Sequence, residues 1–117
     1  MPLSERDAGR LWDMLDAALS VRTFIEGVTF RQYLADRKLQ LAIERLVEII
    51  GEAARGVSDD LKQELGDVPW RGIIAQRHVL AHEYGAIKHE RIWAVATQGV
   101  PQLIALIETL VPPKSTE

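Results

Sequence analysis

Arg77, His78, His82 and Tyr84 lie within eight consecutive residues, and together they bring groups able to move a proton and a group able to hold an anion. An imidazole, with an ordinary pKa of about 6.5, can give or take a proton at neutral pH. A guanidinium offers a planar fork of donors that fits a phosphate or carboxylate as an ammonium does not. The surroundings are locally basic: Arg71, Arg77, Lys88 and Arg91 face only Glu83 and Glu90, and His89 brings all three histidines into the same window. The whole chain carries a formal charge of −3. That argues against a protein coating nucleic acid through bulk positive charge and leaves a local site for an anionic ligand on an acidic body.

Taken singly, each residue has a blander reading. A lone Arg or His on a half-apolar helix face is usually a satisfied structural residue, and a tyrosine beside a glycine is usually a core aromatic with its hydroxyl at the rim. An acid/base group, an anion clamp and an aromatic hydroxyl together make a poor core and a useful site. Zinc is the first rival, because His78 and His82 are four positions apart. Position 79 is Val, however, where the HExxH pattern needs its glutamate, and a third ligand would have to be His89 or Glu52. Ser4, Ser20, Ser58 and Ser115 lack the glycine-elbow context of a serine nucleophile. Neither a metal nor a cofactor is expected.

The elements that must position this cluster read as helices throughout. Ser4 caps a first helix over about residues 5–25, in which Leu11, Leu15, Ala18 and Leu19 recur at helical spacing. Thr29 caps a second, the longest, ending near Gly56; Phe30, Leu34, Leu41, Leu46, Ile50 and Ala53 lie near its apolar stripe, with Arg37, Lys38, Glu44, Arg45 and Glu48 mostly away from it. A short helix from Ser58 is closed by Gly66. The motif helix starts with Pro69 at its first position and reaches about Tyr84, where Gly85 stops it. On this helix Ile73, Arg77, Leu80 and Tyr84 share one stripe, so the guanidinium sits among core-like residues and asks for a partner. A last helix from Lys88 or His89 is interrupted by Gly99 and Pro101, as a kink or a break. The pattern predicts an all-α, antiparallel bundle of four to five helices forming one domain over 1–117, with a core of 4–111 and a frayed tail over 112–117.

At 117 residues and 47% apolar, the chain has material for one core. It has no cysteine, and its N-terminus carries acidic residues without an unbroken apolar run, so neither a signal peptide nor a membrane span is expected and a soluble cytoplasmic protein is.

Arg77-His78-Val79-Leu80-Ala81-His82-Glu83-Tyr84 reads as R-x4-H-x-Y, which resembles the signature of the HepT-like branch of the HEPN superfamily. The likeness covers about residues 4–111 and includes the IGEA run, Ile50 to Ala53, the Pro-Trp-Arg entry to the motif helix and the late Trp-x7-Pro spacing. One departure is His78, where the family very often has asparagine. The resemblance implies a homodimer whose two motif helices meet in a composite cleft, with metal-independent endoribonuclease activity and Arg77 and His82 as its catalytic residues. It further implies a toxin of a type VII toxin–antitoxin pair, inactivated when a minimal nucleotidyltransferase antitoxin transfers AMP onto Tyr84. His78 and Tyr84 are expected to support the site, and Asp36 and Glu52 are candidates to support it from the second helix, with bonding inside the bundle the favoured role for both. Two other classes stay open: a non-catalytic HEPN module binding a nucleotide or a nucleotidyltransferase, and a plain dimerisation bundle.

Overall fold

The computed structural model describes residues 3–83, 85 and 87–111. It is all-α, with no strand among the described residues, and no helix there is long and apolar enough to cross a membrane. Helix α1 (Glu5–Ile25) begins where the Ser4 hydroxyl accepts from the Asp7 amide, and it buries Leu11, Met14, Ala18 and Val21 at helical spacing. It ends before Gly27, which adopts φ 73°, a left-handed turn that a glycine takes without strain.

The second predicted helix is two. Thr29 and Gln32 form a reciprocal capping box that opens α2 (Phe30–Leu34), and α3 (Arg37–Arg55) starts afresh after a break at Ala35–Asp36. Asp36 is extended there, and its carboxylate accepts from the Leu39 amide. The buried Gln40 amide donates to the carbonyls of Tyr33 (3.0 Å) and Leu34 (3.1 Å), adding to the Asp36 amide that already reaches the Tyr33 carbonyl and giving the Leu34 carbonyl a donor at the break. The break turns Leu34 and Leu41 outward, each about half exposed, rather than onto the expected stripe. Ile43, Val47, Ile50 and Ala54 form the buried face of α3 instead.

Asp7 ties the start of α1 to α4 (Asp59–Glu64). Its carboxylate accepts from the Ser58 hydroxyl (2.6 Å) and the Ser58 amide (2.9 Å), and these bonds hold its pKa below the ordinary value of 3.8. A depressed carboxylate stabilises the fold above its unfolded pKa, and that contribution is lost as pH falls through the folded value. Asp7→Asn should therefore lose about 1–3 kcal/mol in denaturant melts at pH 6. The gap from wild type should narrow as the pH is lowered below 3.8; a gap independent of pH would contradict this role.

Helix α5 (Trp70–His82) carries the motif. Pro69 sits at its N-cap, one position before the expected place, with its carbonyl accepting the first helical bond from Ile73, while the Trp70 indole donates to the Leu65 carbonyl. The helix stops at His82, where the Glu83 amide closes the last turn onto the Val79 carbonyl, so it ends short of Tyr84. Tyr84 and the 112–117 tail lie outside the described residues.

The interruption near Pro101 is neither a break nor a stop. Helices α6 (His89–Ala94) and α7 (Val100–Ile107) run on through a π-helical turn, Val95–Gly99, with right-handed backbone at each junction. Pro101 has no amide to return to Thr97, and the Val100 amide bonds to the Val95 carbonyl five residues back, so the wider turn absorbs the missing donor. Helix α3 is the centre of the bundle: α1 packs on it and on α7, whereas α5 packs chiefly on α3. The motif helix therefore lies at the outside of the bundle.

Candidate active site

Gly51 explains how α5 comes so close to α3. A Cβ at that position would overlap the Arg77 Cβ and stand 2.9 Å from the Ile73 carbonyl oxygen. The glycine of the IGEA run is thus a seat for the motif arginine, and Ile73, Arg77 and Leu80 form the stripe of α5 that faces the bundle. The Arg77 Nε is sealed from solvent and has no acceptor among the described residues. A buried donor left without an acceptor costs on the order of 1–3 kcal/mol. The sequence places this guanidinium among core-like residues, and Nε is the atom of the half-buried side chain that the bundle leaves without an acceptor.

The histidines lie elsewhere on the same helix. His78 and His82 stack against each other with ring centroids 5.0 Å apart, and His78 Nε2 is 3.9 Å from a carboxylate oxygen of Glu83. Both are exposed, on an outward stripe that includes Arg71 and Ala75. Five residues separate Arg77 from His82, which turns their Cβ directions about 140° apart on a helix. One protomer therefore brings the two histidines together and points the arginine to another side.

Asp36 is occupied as the N-cap of α3, and Glu52 is exposed beside Gly51. Neither they nor His89 complete a metal site: no group of three or more His, Asp or Glu able to hold a metal ion occurs among the described residues. His89 instead stacks edge-on against Tyr33 at 6.1 Å.

Three polar groups that the sequence reading did not connect meet the interior where α2, α3 and α6 pack together. The Tyr33 hydroxyl, Glu44 Oε2 and His89 Nδ1 are each sealed from solvent without a hydrogen-bond partner among the described residues. Burial, reinforced by the Glu44 charge, pushes the Tyr33 pKa up to about 12. They stand on α2, α3 and the first turn of α6, where the chain arrives from the end of α5. Glu44 reads as a surface residue because its neighbours Arg45 and Glu48 are charged; its spacing of seven from Gly51 is the signal that it shares the inward face of α3, where its carboxylate lies near Tyr33 and 4.0 Å from Arg37.

Comparison with known proteins identifies the family. The family model for HepT-like ribonucleases matches residues 14–110, which includes Gly51 and the whole motif helix. A Methanocaldococcus jannaschii protein named as an RNase is 35% identical over 86% of this chain and 84% of its own length. A second from that organism is 29% identical over 91% of this chain and 98% of its own. A Thermococcus cleftensis protein bearing the name ribonuclease HepT is 31% identical over 86% of this chain and 91% of its own. No solved structure gives a significant match. With the family model spanning most of the chain and relatives above 30% identity covering most of it, this protein belongs to the HepT-like ribonuclease family of the HEPN superfamily.

Proposed function

We propose that the chain is a metal-independent endoribonuclease, the toxin of a type VII toxin–antitoxin pair, acting on RNA in the cytoplasm as a homodimer. The observation that carries this reading is the buried, unpaired Arg77 Nε on an α5 that lies at the rim of the bundle. A phosphodiester supplies the anion that this guanidinium lacks. In the dimer two α5 helices meet, and each cleft combines the half-buried Arg77 of one protomer with the exposed His82 of the other, which offsets the divergence of the two side chains on a single helix.

In this site His82 exchanges a proton with the attacking ribose 2′-hydroxyl or the leaving 5′-oxygen. Arg77 holds the scissile phosphate and meets the negative charge that grows in the transition state. His78 sits against His82 and supports its ring. Tyr84 contacts RNA and is the acceptor through which the nucleotidyltransferase antitoxin silences the enzyme. The divergence of Arg77 and His82 within one protomer also suits a second reading, a non-catalytic module that only binds an anion.

Purified chain incubated with single-stranded RNA in excess EDTA separates the two. Cleavage should proceed at the same rate with and without the chelator. RNA that is bound and left intact would support the binding module, and cleavage abolished by EDTA would revive a metal at His78 and His82.

A further inference from the structure

A cleft of about 270 Å³ runs beside α5, walled by the aliphatic side chains of Val47, Ile50, Ile73, Val100 and Leu103. Its mouth, at Gln76, Val95 and Gly99, opens onto an adjoining patch that adds Arg91, Gln98 and Gln102. Gln76 lies about 120° round the helix from His82 and about 9 Å back along its axis, so the cleft flanks the candidate site across the exposed back of α5.

Two glycines keep this cleft open. Gly72, inside α5, and Gly99, in the π turn, both line it. Neither has a positive φ, and a Cβ at either would meet nothing closer than 4.0 Å. No contact among the described residues requires them, yet a glycine inside a helix is less stable than an alanine there. Such glycines leave space for something that approaches from outside.

The chemistry of the rim identifies the visitor. A helix from a second copy would fill the aliphatic walls, but its backbone groups are already bonded. Its aliphatic face would bury three primary amides and a guanidinium without partners, which is unfavourable for each. A nucleobase has apolar faces for the walls and an edge of donors and acceptors for the amides. The volume, near the lower end of ligand clefts, suits one ring system rather than a larger molecule.

We propose that this cleft takes one unpaired base of the RNA strand, flanking the cleaved linkage, with Gln76, Gln98 and Gln102 reading the base edge and Arg91 holding the adjoining phosphate. Arg91 is free to do so, forming no ion pair among the described residues. The assignment rests on the ribonuclease reading and gives that enzyme its base preference.

The test uses single-stranded RNAs that each carry one 2-aminopurine, titrated with the full-length His82→Ala chain so that nothing is cut. A base lifted from its neighbours into aliphatic walls loses the stacking that quenches it, so fluorescence should rise on binding for one position of the label. Gly72→Leu, which projects a side chain into the open space, should abolish that rise and weaken Kd about tenfold, the lower end of what one bound base contributes. Gln98→Ala with Gln102→Ala, at exposed positions that tolerate change, should do the same if the leucine variant does not fold. Unaltered fluorescence and Kd in these variants would overturn the proposal. So would a Gly72→Leu chain that turns from dimer to monomer in light scattering, since the occupant would then be a second copy. A wild-type chain that shows the fluorescence rise but never cuts RNA would sink the ribonuclease reading and leave the cleft assignment standing.

Discussion

His82→Ala should lower kcat/KM for RNA by roughly 10² to 10⁴, the usual range for removing one acid/base group, while the thermal melt stays near that of wild type. The separation is possible because His82 is exposed at the last turn of α5 and carries none of the core, and exposed substitutions away from special features shift stability within about 0.5 kcal/mol. Arg77 needs a different variant. Its stem lies over Gly51, so Arg77→Ala would remove packing as well as charge. Arg77→Lys keeps a charged, largely aliphatic stem and loses the planar fork, so it should fold and still lose at least about 10² in rate. His78→Asn should keep most of the activity if His78 only supports its neighbour's ring. A His82→Ala enzyme within tenfold of wild type would remove this histidine from the chemistry, and a His78→Asn enzyme as inactive as His82→Ala would make both histidines acid/base partners.

Control by AMP transfer should produce an equally large change. The chain has two tyrosines. Tyr33 is fully buried and its hydroxyl is pushed up to about 12, so it offers neither access nor a nucleophilic oxygen to a partner enzyme. Tyr84 is left as the phenolic acceptor. Its oxygen attacks the α-phosphorus of ATP, pyrophosphate leaves, and the phenolic proton is lost. With the cognate nucleotidyltransferase, ATP and magnesium, intact mass should rise by one or more increments of about 330 Da, each adding a charged phosphodiester to the residue that ends the motif. RNA cleavage should fall in step with the modified fraction. Tyr84→Phe should take no label and escape inhibition; label at Tyr33, or inhibition without label, would contradict this assignment.

Much of the bundle is legible in the sequence because its signals are local. Ser4, Thr29 and Ser58 announce helix starts with a side-chain acceptor followed three residues later by the amide it takes, and each does so in the structure. The break at Ala35–Asp36 is hidden for a tertiary reason. Apolar residues at 30, 34 and 41 keep a helical period across it, and what stabilises the break is a buried Gln40 amide holding two carbonyls, a contact no periodicity encodes. Pro101 signals a disturbance in the last helix without saying that a π turn would absorb it.

The site divides the same way. Arg77 is recognisable as a guanidinium on a core stripe, and its Nε has no acceptor among the described residues. Gly51 and Glu44 are not recognisable in this way: the role of Gly51 comes from α5 lying across α3 and that of Glu44 from α2 folding Tyr33 back beside it, pairings that sequence spacing does not fix. The arrangement of Arg77 and His82 on different sides of α5 could have been read from the 100° helical step, and it is the feature that makes a second protomer necessary to the proposed mechanism.

Mixing two inactive variants tests that mechanism most directly. Arg77→Lys and His82→Ala chains, each purified as a dimer, are combined, dissociated and allowed to reassociate. If each site takes Arg77 from one protomer and His82 from the other, the mixed dimer regains one intact site of two. Half of the dimers are then mixed, and RNA cleavage should return to about a quarter of the wild-type rate. If Arg77 and His82 act within a single protomer, no intact site is formed, and a mixture as inactive as its components would contradict the shared site.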